Sequence, residues 1–170
     1  MSIAAIGIGS NLGDREATIA SAVRALADAV GIEVESVSPL YETPAVGPPQ
    51  PAYVNAAVRV RTALDPHALM DALLAIEAAH GRVRREKWGP RTLDLDVLVL
   101  CDDQGRMIEV DTEHLHTPHP HLHERAFALA PLLDVMPELE GRYGGALIAA
   151  GGAPPRAQGS QTIVNPGRRR

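Results

Sequence analysis

The chain has 170 residues, a length that supports one domain with one sizeable core and is too short for two fused enzymes of ordinary size. A net charge of -5, with 45% hydrophobic and 22% charged residues, fits an ordinary globular protein and excludes a general nucleic-acid binder, which needs an excess of Lys and Arg on its binding face. No apolar run approaches the ~20 residues of a membrane span, the start MSIAAIGIG lacks the positive region and length of a signal peptide, and the lone Cys101 fits a reducing compartment; a cytoplasmic protein with no membrane partner is expected.

SIAAIGIGS opens the chain as a short apolar run ending at glycines, as a buried strand does, and NLGD follows as turn chemistry. Asp14 is placed to cap a helix over 15–30, in which Ile19, Val23, Leu26 and Val30 share one face and Gly31 is the stop. IEVESVSPLYET reads as one polar-rich strand. After the loop PAVGPPQPA, YVNAAVRVR reads as another, with Val54, Ala56, Val58 and Val60 on one face and Tyr53, Asn55, Arg59 and Arg61 on the other. A second helix follows, with Asp65 as N-cap, Pro66 at its first position, Leu69, Leu73 and Ile76 as its apolar stripe, and Gly81 past its end. RVRREKWGPR then leads into the strand TLDLDVLVL. The order β-α-β-β-α-β predicts a ferredoxin-like α+β sandwich, mainly antiparallel, with the helices packed on one face. Beyond it, HTPHPHLHERAFALAPLLDVMPEL reads as a loop, a short helix opened by Pro120 and a second apolar segment. One domain over 1–140 is expected, and the Gly-, Pro- and Ala-rich stretch over 141–170 reads as a largely disordered tail.

The strand TLDLDVLVL carries the strongest chemical signal. Alternation sets Leu93, Leu95, Val97 and Val99 on one face and Asp94, Asp96, Leu98 and Leu100 on the other, which leaves the two carboxylates roughly 7 Å apart and pointing the same way. Like charges beside apolar neighbours need a positive partner: either Arg or Lys on adjacent strands, or magnesium, which takes one or two protein carboxylates and completes its shell with substrate phosphates. Arg82, Arg84, Arg85, Lys87 and Arg91 lie immediately upstream in an otherwise acidic chain. Arginines that fork onto phosphate oxygens, beside metal-binding carboxylates, are the two halves of a phosphoryl-transfer site. GIGSNLGD lacks the lysine of a P-loop and reads as structural. Five of the seven histidines fall between His114 and His123, but prolines stiffen that segment and Cys101 is the only thiol, which argues against a structural zinc.

In order and spacing, GSNLGD, YETPAVGPPQPAYVNAAV, IEAAHGRVRREKWGPRTLDLDVL and TPHPHLHERAFALAPL resemble the 6-hydroxymethyl-7,8-dihydropterin pyrophosphokinases of folate biosynthesis, over roughly residues 3 to 140. That resemblance implies transfer of pyrophosphate from ATP to the pterin hydroxymethyl, with AMP leaving. It implies Asp94 and Asp96 as ligands of two magnesium ions, and Arg82 and Arg91 with them as catalytic residues. ATP is assigned to Arg82, Arg84, Trp88, Arg91, His119 and Arg125, with Trp88 in a loop that closes over the substrates. The pterin is assigned to an aromatic sandwich of Tyr53 and Phe127, the Asn55 amide, and backbone groups of Thr43, Pro44 and Val46. Asp96, through a metal or a water, is the candidate base, and Glu77 lies near the site with its role open. Leu74 and Pro120 depart from relatives that carry glutamine and tyrosine there, which predicts more apolar contacts to the nucleotide base. A monomer with no nucleic-acid partner is expected. A phosphohydrolase using the same carboxylates, or an inactive nucleotide-binding relative, are the competing readings.

Overall fold

The computed structural model describes residues 1–45, 47–81 and 92–157. Its strands are β1 (Ser2–Ser10), β2 (Ile32–Val37), β3 (Tyr41–Thr43), β4 (Tyr53–Thr62) and β5 (Asp94–Asp102), with a short ribbon of β6 (Val110–Asp111) and β7 (His116–Thr117). The helices are α1 (Arg15–Asp28), α2 (Pro66–Ala79), α3 (Ala126–Val135) and α4 (Glu140–Ala149). The main sheet runs β2-β4-β1-β5, with β3 also pairing β4, and every pairing is antiparallel. Each of α1 and α2 links two strands that have one other strand between them in this order, which is the split βαβ plan expected.

Helix α1 begins where the Asp14 carboxylate accepts from the Ala17 N–H, and α2 where Asp65 accepts from Ala68, with Pro66 supplying a preset φ. Ile19, Ala22, Val23 and Leu26 of α1, and Leu69, Leu73 and Ile76 of α2, pack against Ala4, Ile6, Ile8, Val54, Ala56, Val58, Val60, Leu93, Leu95 and Val97. The predicted stripe of α1 stops a turn early: the helix ends at Asp28, and Val30 is 93% exposed. Residues 29–31 are needed instead for the reversal into β2, where the Gly31 carbonyl accepts from Ala63 N–H and the Thr62 hydroxyl.

Two other expectations change. IEVESVSPLYET is two strands, because Pro39 has no N–H to give the ladder; Ser38 bridges the break, its N–H donating to the Ala57 carbonyl and its hydroxyl accepting from the Ala57 N–H. In β5 the period of two fails after Val97. The register against β1 steps from Ile6 opposite Val97 to Ala5 opposite Val99, so Leu98 is an extra residue in a β-bulge. Leu98 and Val99 therefore both enter the core opposite α1 and α2, while Leu100 returns to the first core, reversing the faces expected for Val99 and Leu100.

That second core joins Ala5, Ala57, Leu98, Val99 and Cys101 to Leu129, Leu132 and Val135 of α3 and Tyr143 of α4. Helices thus cover both faces of the sheet, not one. Pro120 opens only a turn, followed by a single 3-10 turn at Leu122–Glu124, and the true helix begins at Ala126. The expectation of a disordered tail from 141 meets an ordered segment as far as 157. Tyr143 and Gly144 are buried, and Ala157 reaches the first core. Residues 158–170 lie outside the described residues.

Candidate active site

Helices α3 and α4 cover only one end of their sheet face. At the other end, where Gly7, Gly9, Tyr53, Asn55, Asp94 and Asp96 point, a cleft of about 790 Å³ stays open. Its lining also includes Thr43, Pro44, Glu77, Leu98, His119, Arg125 and Phe127. One cross-strand row organises its floor: Asn55 lies opposite Gly9, and Gly9 opposite Asp94. Asn55 and Asp94 are two strand spacings apart, about 10 Å, on the same face. A Cβ on Gly9 would come within 2.9 Å of the Asn55 Oδ1, and one on Gly7 within 3.0 Å of the Leu98 side chain. The two glycines are a flat floor, so GIGSNLGD shapes the site as well as the turn.

The residues after them hold the walls. Ser10, fully buried, donates its hydroxyl to the Thr92 carbonyl at 2.6 Å, just ahead of Asp94. The buried Asn11 amide donates to the Gln50 side chain at 2.7 Å and the Pro51 carbonyl at 3.0 Å, and Arg15 donates to the Ala52 carbonyl at 2.8 Å. One turn therefore fixes the start of β5 and the approach to Tyr53. Asn55, 8% exposed, is oriented by a bond from its Nδ2 to the Thr43 hydroxyl at 3.3 Å.

Glu77 gains a definite role: buried in α2, it accepts the Leu95 N–H at 3.0 Å, between Asp94 and Asp96 on the edge strand. The signal was present in the sequence as an acid four residues beyond Leu73, on an apolar helical stripe. Across the cleft, Arg125 lies over the Phe127 ring at 5.7 Å from its centroid. His119 is hung from the bulge, its N–H donating to the Leu98 carbonyl at 2.9 Å. Burial, then the charges of Arg125 and His121, push its imidazole down to about 4 against the pull of Asp94. Its Nδ1 accepts from the His121 N–H at 3.2 Å, so in the neutral ring Nε2 carries the proton.

The other histidines scatter: His116 pairs with Asp111, and His121 and His123 with Glu124. Among the described residues no three His, Cys, Asp or Glu converge to hold a metal. Leu74 is 39% exposed and is not among the residues lining the cleft. Of the expected site residues, Thr43, Pro44, Tyr53, Asn55, Asp94, Asp96, His119, Arg125 and Phe127 share the cleft. Val46, Arg82, Arg84, Trp88 and Arg91 lie outside the described residues.

An antiparallel α+β sandwich with an open cleft that joins aromatic rings to a pair of carboxylates is the class that fold and site define. The comparisons carry this to a family. A model of the 7,8-dihydro-6-hydroxymethylpterin-pyrophosphokinase (HPPK) family matches residues 5–137, and the chain belongs to that family. The 2-amino-4-hydroxy-6-hydroxymethyldihydropteridine pyrophosphokinase of Methylorubrum extorquens is 46% identical over 140 residues, 82% of this chain and 85% of that one. Those of Synechocystis and Bacillus subtilis are 44% identical over 135 residues (79% and 67% of the two chains) and 41% identical over 139 (81% and 80%). A solved Plasmodium falciparum HPPK-DHPS chain with pteroate shares the fold at a TM-score of 0.59 and 14% identity, over 81% of this chain and 40% of that one. The protein is an ATP-dependent pyrophosphokinase acting on hydroxymethyldihydropterin in folate biosynthesis. No helix among the described residues is long and apolar enough to cross a membrane.

Proposed function

We propose that the row Asn55–Gly9–Asp94 sets the two substrates side by side in the cleft, and that this row is the observation on which the residue assignments rest. On this reading the flat pterin slides over Gly9 between the rings of Tyr53 and Phe127. The Asn55 amide, held by Thr43, offers a donor and an acceptor to its edge, with backbone groups of Thr43, Pro44 and Val46 completing the match. The pterin hydroxymethyl then points along the floor toward Asp94 and Asp96.

The carboxylates suit magnesium: both are oxygen donors on one strand face, backed by Glu77 at the Leu95 N–H. Asp94 and Asp96 would hold two ions, which supply charge neutralisation at the ATP phosphates and a template for in-line displacement. Around them the protein's own groups position the triphosphate. His119 donates from Nε2 as a neutral hydrogen-bond donor, and Arg125, leaning on Phe127, contributes a fixed positive charge. Arg82, Arg84 and Arg91 are assigned to the remaining phosphate oxygens and Trp88 to the covering loop, which excludes the water that competes with the pterin hydroxyl. The hydroxymethyl oxygen attacks the β-phosphorus, its proton passes to a water held at Asp96, and AMP departs. Most of the acceleration comes from positioning and charge, as phosphoryl transfer requires.

The single buried Cys101 supports a reducing, cytoplasmic setting. The product assay tests the activity: with Mg-ATP and 6-hydroxymethyl-7,8-dihydropterin, AMP should appear only when pterin is present. Pterin-independent hydrolysis would instead identify a phosphohydrolase, and no turnover a binding protein.

A further inference from the structure

The row that organises the cleft does not end at Asn55. Tyr41 of β3 lies opposite Asn55 on one side, and on its other side it bridges antiparallel to Arg156. The C-terminal segment is bonded there as an added strand: Glu42 N–H donates to the Pro155 carbonyl at 2.9 Å and Ala157 N–H to the Leu40 carbonyl at 3.0 Å. Strand β3 is therefore gripped from both edges, and it carries the Thr43 hydroxyl that orients Asn55.

The Tyr41 side chain ties this edge to the helix above. Its ring is buried, and its hydroxyl donates to the Asp134 carboxylate of α3 at 2.5 Å, with Arg156 as a second polar neighbour. Burial, then the bond to Asp134 and its charge, push the Tyr41 hydroxyl up to about 12, so it remains a donor throughout the physiological range. Asp134 and Phe127 are seven residues apart on α3, which sets them on one helical face about two turns apart. A single contact thus joins the helix bearing Phe127, the strand bearing Thr43 and the C-terminal segment. Arg156 itself lies beyond the 5–137 span that the family model matches.

We infer that Tyr41, Asp134 and Arg156 form a clasp that uses the C-terminal segment to fix the width of the pterin slot, acting as positioning residues and not as ligands of either substrate. The inference rests on the assignment of that slot to Tyr53, Asn55 and Phe127. Its energetic scale is that of one buried hydrogen bond to a charged group, so the effect belongs in pterin affinity and leaves the nucleotide side untouched.

Steady-state kinetics on the full chain test it, with pterin and Mg-ATP varied separately. Tyr41→Phe keeps the ring and loses the donor; it should raise the KM for pterin roughly three- to tenfold. The KM for Mg-ATP and kcat should stay within about twofold, which loss of one hydrogen bond on the pterin side alone allows. Asp134→Ala should match it, whereas Asp134→Asn, which still accepts from the hydroxyl, should stay near the parent chain. Arg156→Ala alters an exposed position without threatening the fold and should shift the pterin KM in the same direction, with Arg156→Lys recovering part. Unchanged pterin KM in Tyr41→Phe, or parallel rises in both KM values, would overturn the clasp. Tyr53→Ala in the same assay separates the two levels. If it weakens pterin binding while Tyr41→Phe does not, the clasp alone is wrong; if it has no effect, the slot and the clasp fall together.

Discussion

The two faces of one sheet meet opposite demands. On the face toward α1 and α2, the aliphatic side chains of Ile6, Ile8, Val58, Val60, Leu93 and Leu95 are all nearly inaccessible. On the other face, the same strands carry Gly7, Gly9, Tyr53, Asn55, Asp94 and Asp96 around a cleft that α3 and α4 leave uncovered. Adjacent residues such as Asp94 and Leu95 thus belong to different problems. The strands are fixed by burial on one side, and the other side is thereby free to hold charge, flat floor and aromatic rings at defined spacings. Polar bonds between distant segments steady the cleft and the strand ends around it: Ser10 on Thr92, Asn11 on Gln50, Asn55 on Thr43 and Glu77 on Leu95.

That division makes substitutions on the two faces fail differently. The largest effect is expected at Asp96→Ala, which should cut turnover by on the order of a thousandfold, about 4 kcal/mol of transition-state stabilisation, with the fold intact. Circular dichroism and a Mg-ATP turnover assay check the pair of outcomes together. Next, Tyr53→Ala should weaken pterin binding about tenfold or more through lost stacking area, and Mg-ATP binding far less. Calorimetric titration of each substrate measures it, and equal losses would contradict the division of the cleft.

His119 connects the cleft to pH. Its folded value of about 4 lies below its ordinary 6.5, so the unfolded chain takes up a proton first as the pH drops. The resulting stability is full above about pH 6.5 and is lost as the pH falls from there toward about 4. His119→Gln should flatten the fall of the thermal midpoint across that window, and identical slopes in both proteins would oppose the assignment. The smallest effect is expected at Ser10→Ala, where loss of one buried donor to the Thr92 carbonyl should cost about 1 kcal/mol in urea unfolding.

Much of this arrangement is legible in the sequence, for reasons that differ by region. Asp14, Asp65 and Pro66 announce helix starts because capping is local chemistry, and the alternation of Val54, Ala56, Val58 and Val60 marks a half-buried strand because pleating has a period of two. The bulge at Leu98 is not legible, since it depends on the register against β1 and on how closely Leu98 approaches Gly7. The segment to Ala157 was missed for a related reason: its composition is that of a flexible tail, and only the Tyr41 edge gives it somewhere to bind. Asp94, Asp96 and the basic stretch before them stand out in the sequence through charge against an apolar background. Tyr53, Asn55 and Phe127 acquire a role only through the family resemblance, because aromatic and amide side chains on a strand or helix carry no spacing signature of a heterocycle. Ser10 acts through a backbone partner 82 residues away, a distance that no local pattern spans; Glu77 is marked as an acid on an apolar stripe, but its Leu95 partner 18 residues on is set only by the fold.

Asp94 and Leu95 offer the most direct comparison, being neighbours in sequence on opposite faces. Turnover per folded molecule and thermal midpoint should be measured together for Asp94→Asn and Leu95→Ala. Asp94→Asn should lose on the order of a thousandfold in turnover with its midpoint held. Leu95→Ala should lose about 2–5 kcal/mol of stability while its folded fraction still turns over. Near-parental turnover in Asp94→Asn would contradict the assignment of this face to phosphoryl transfer.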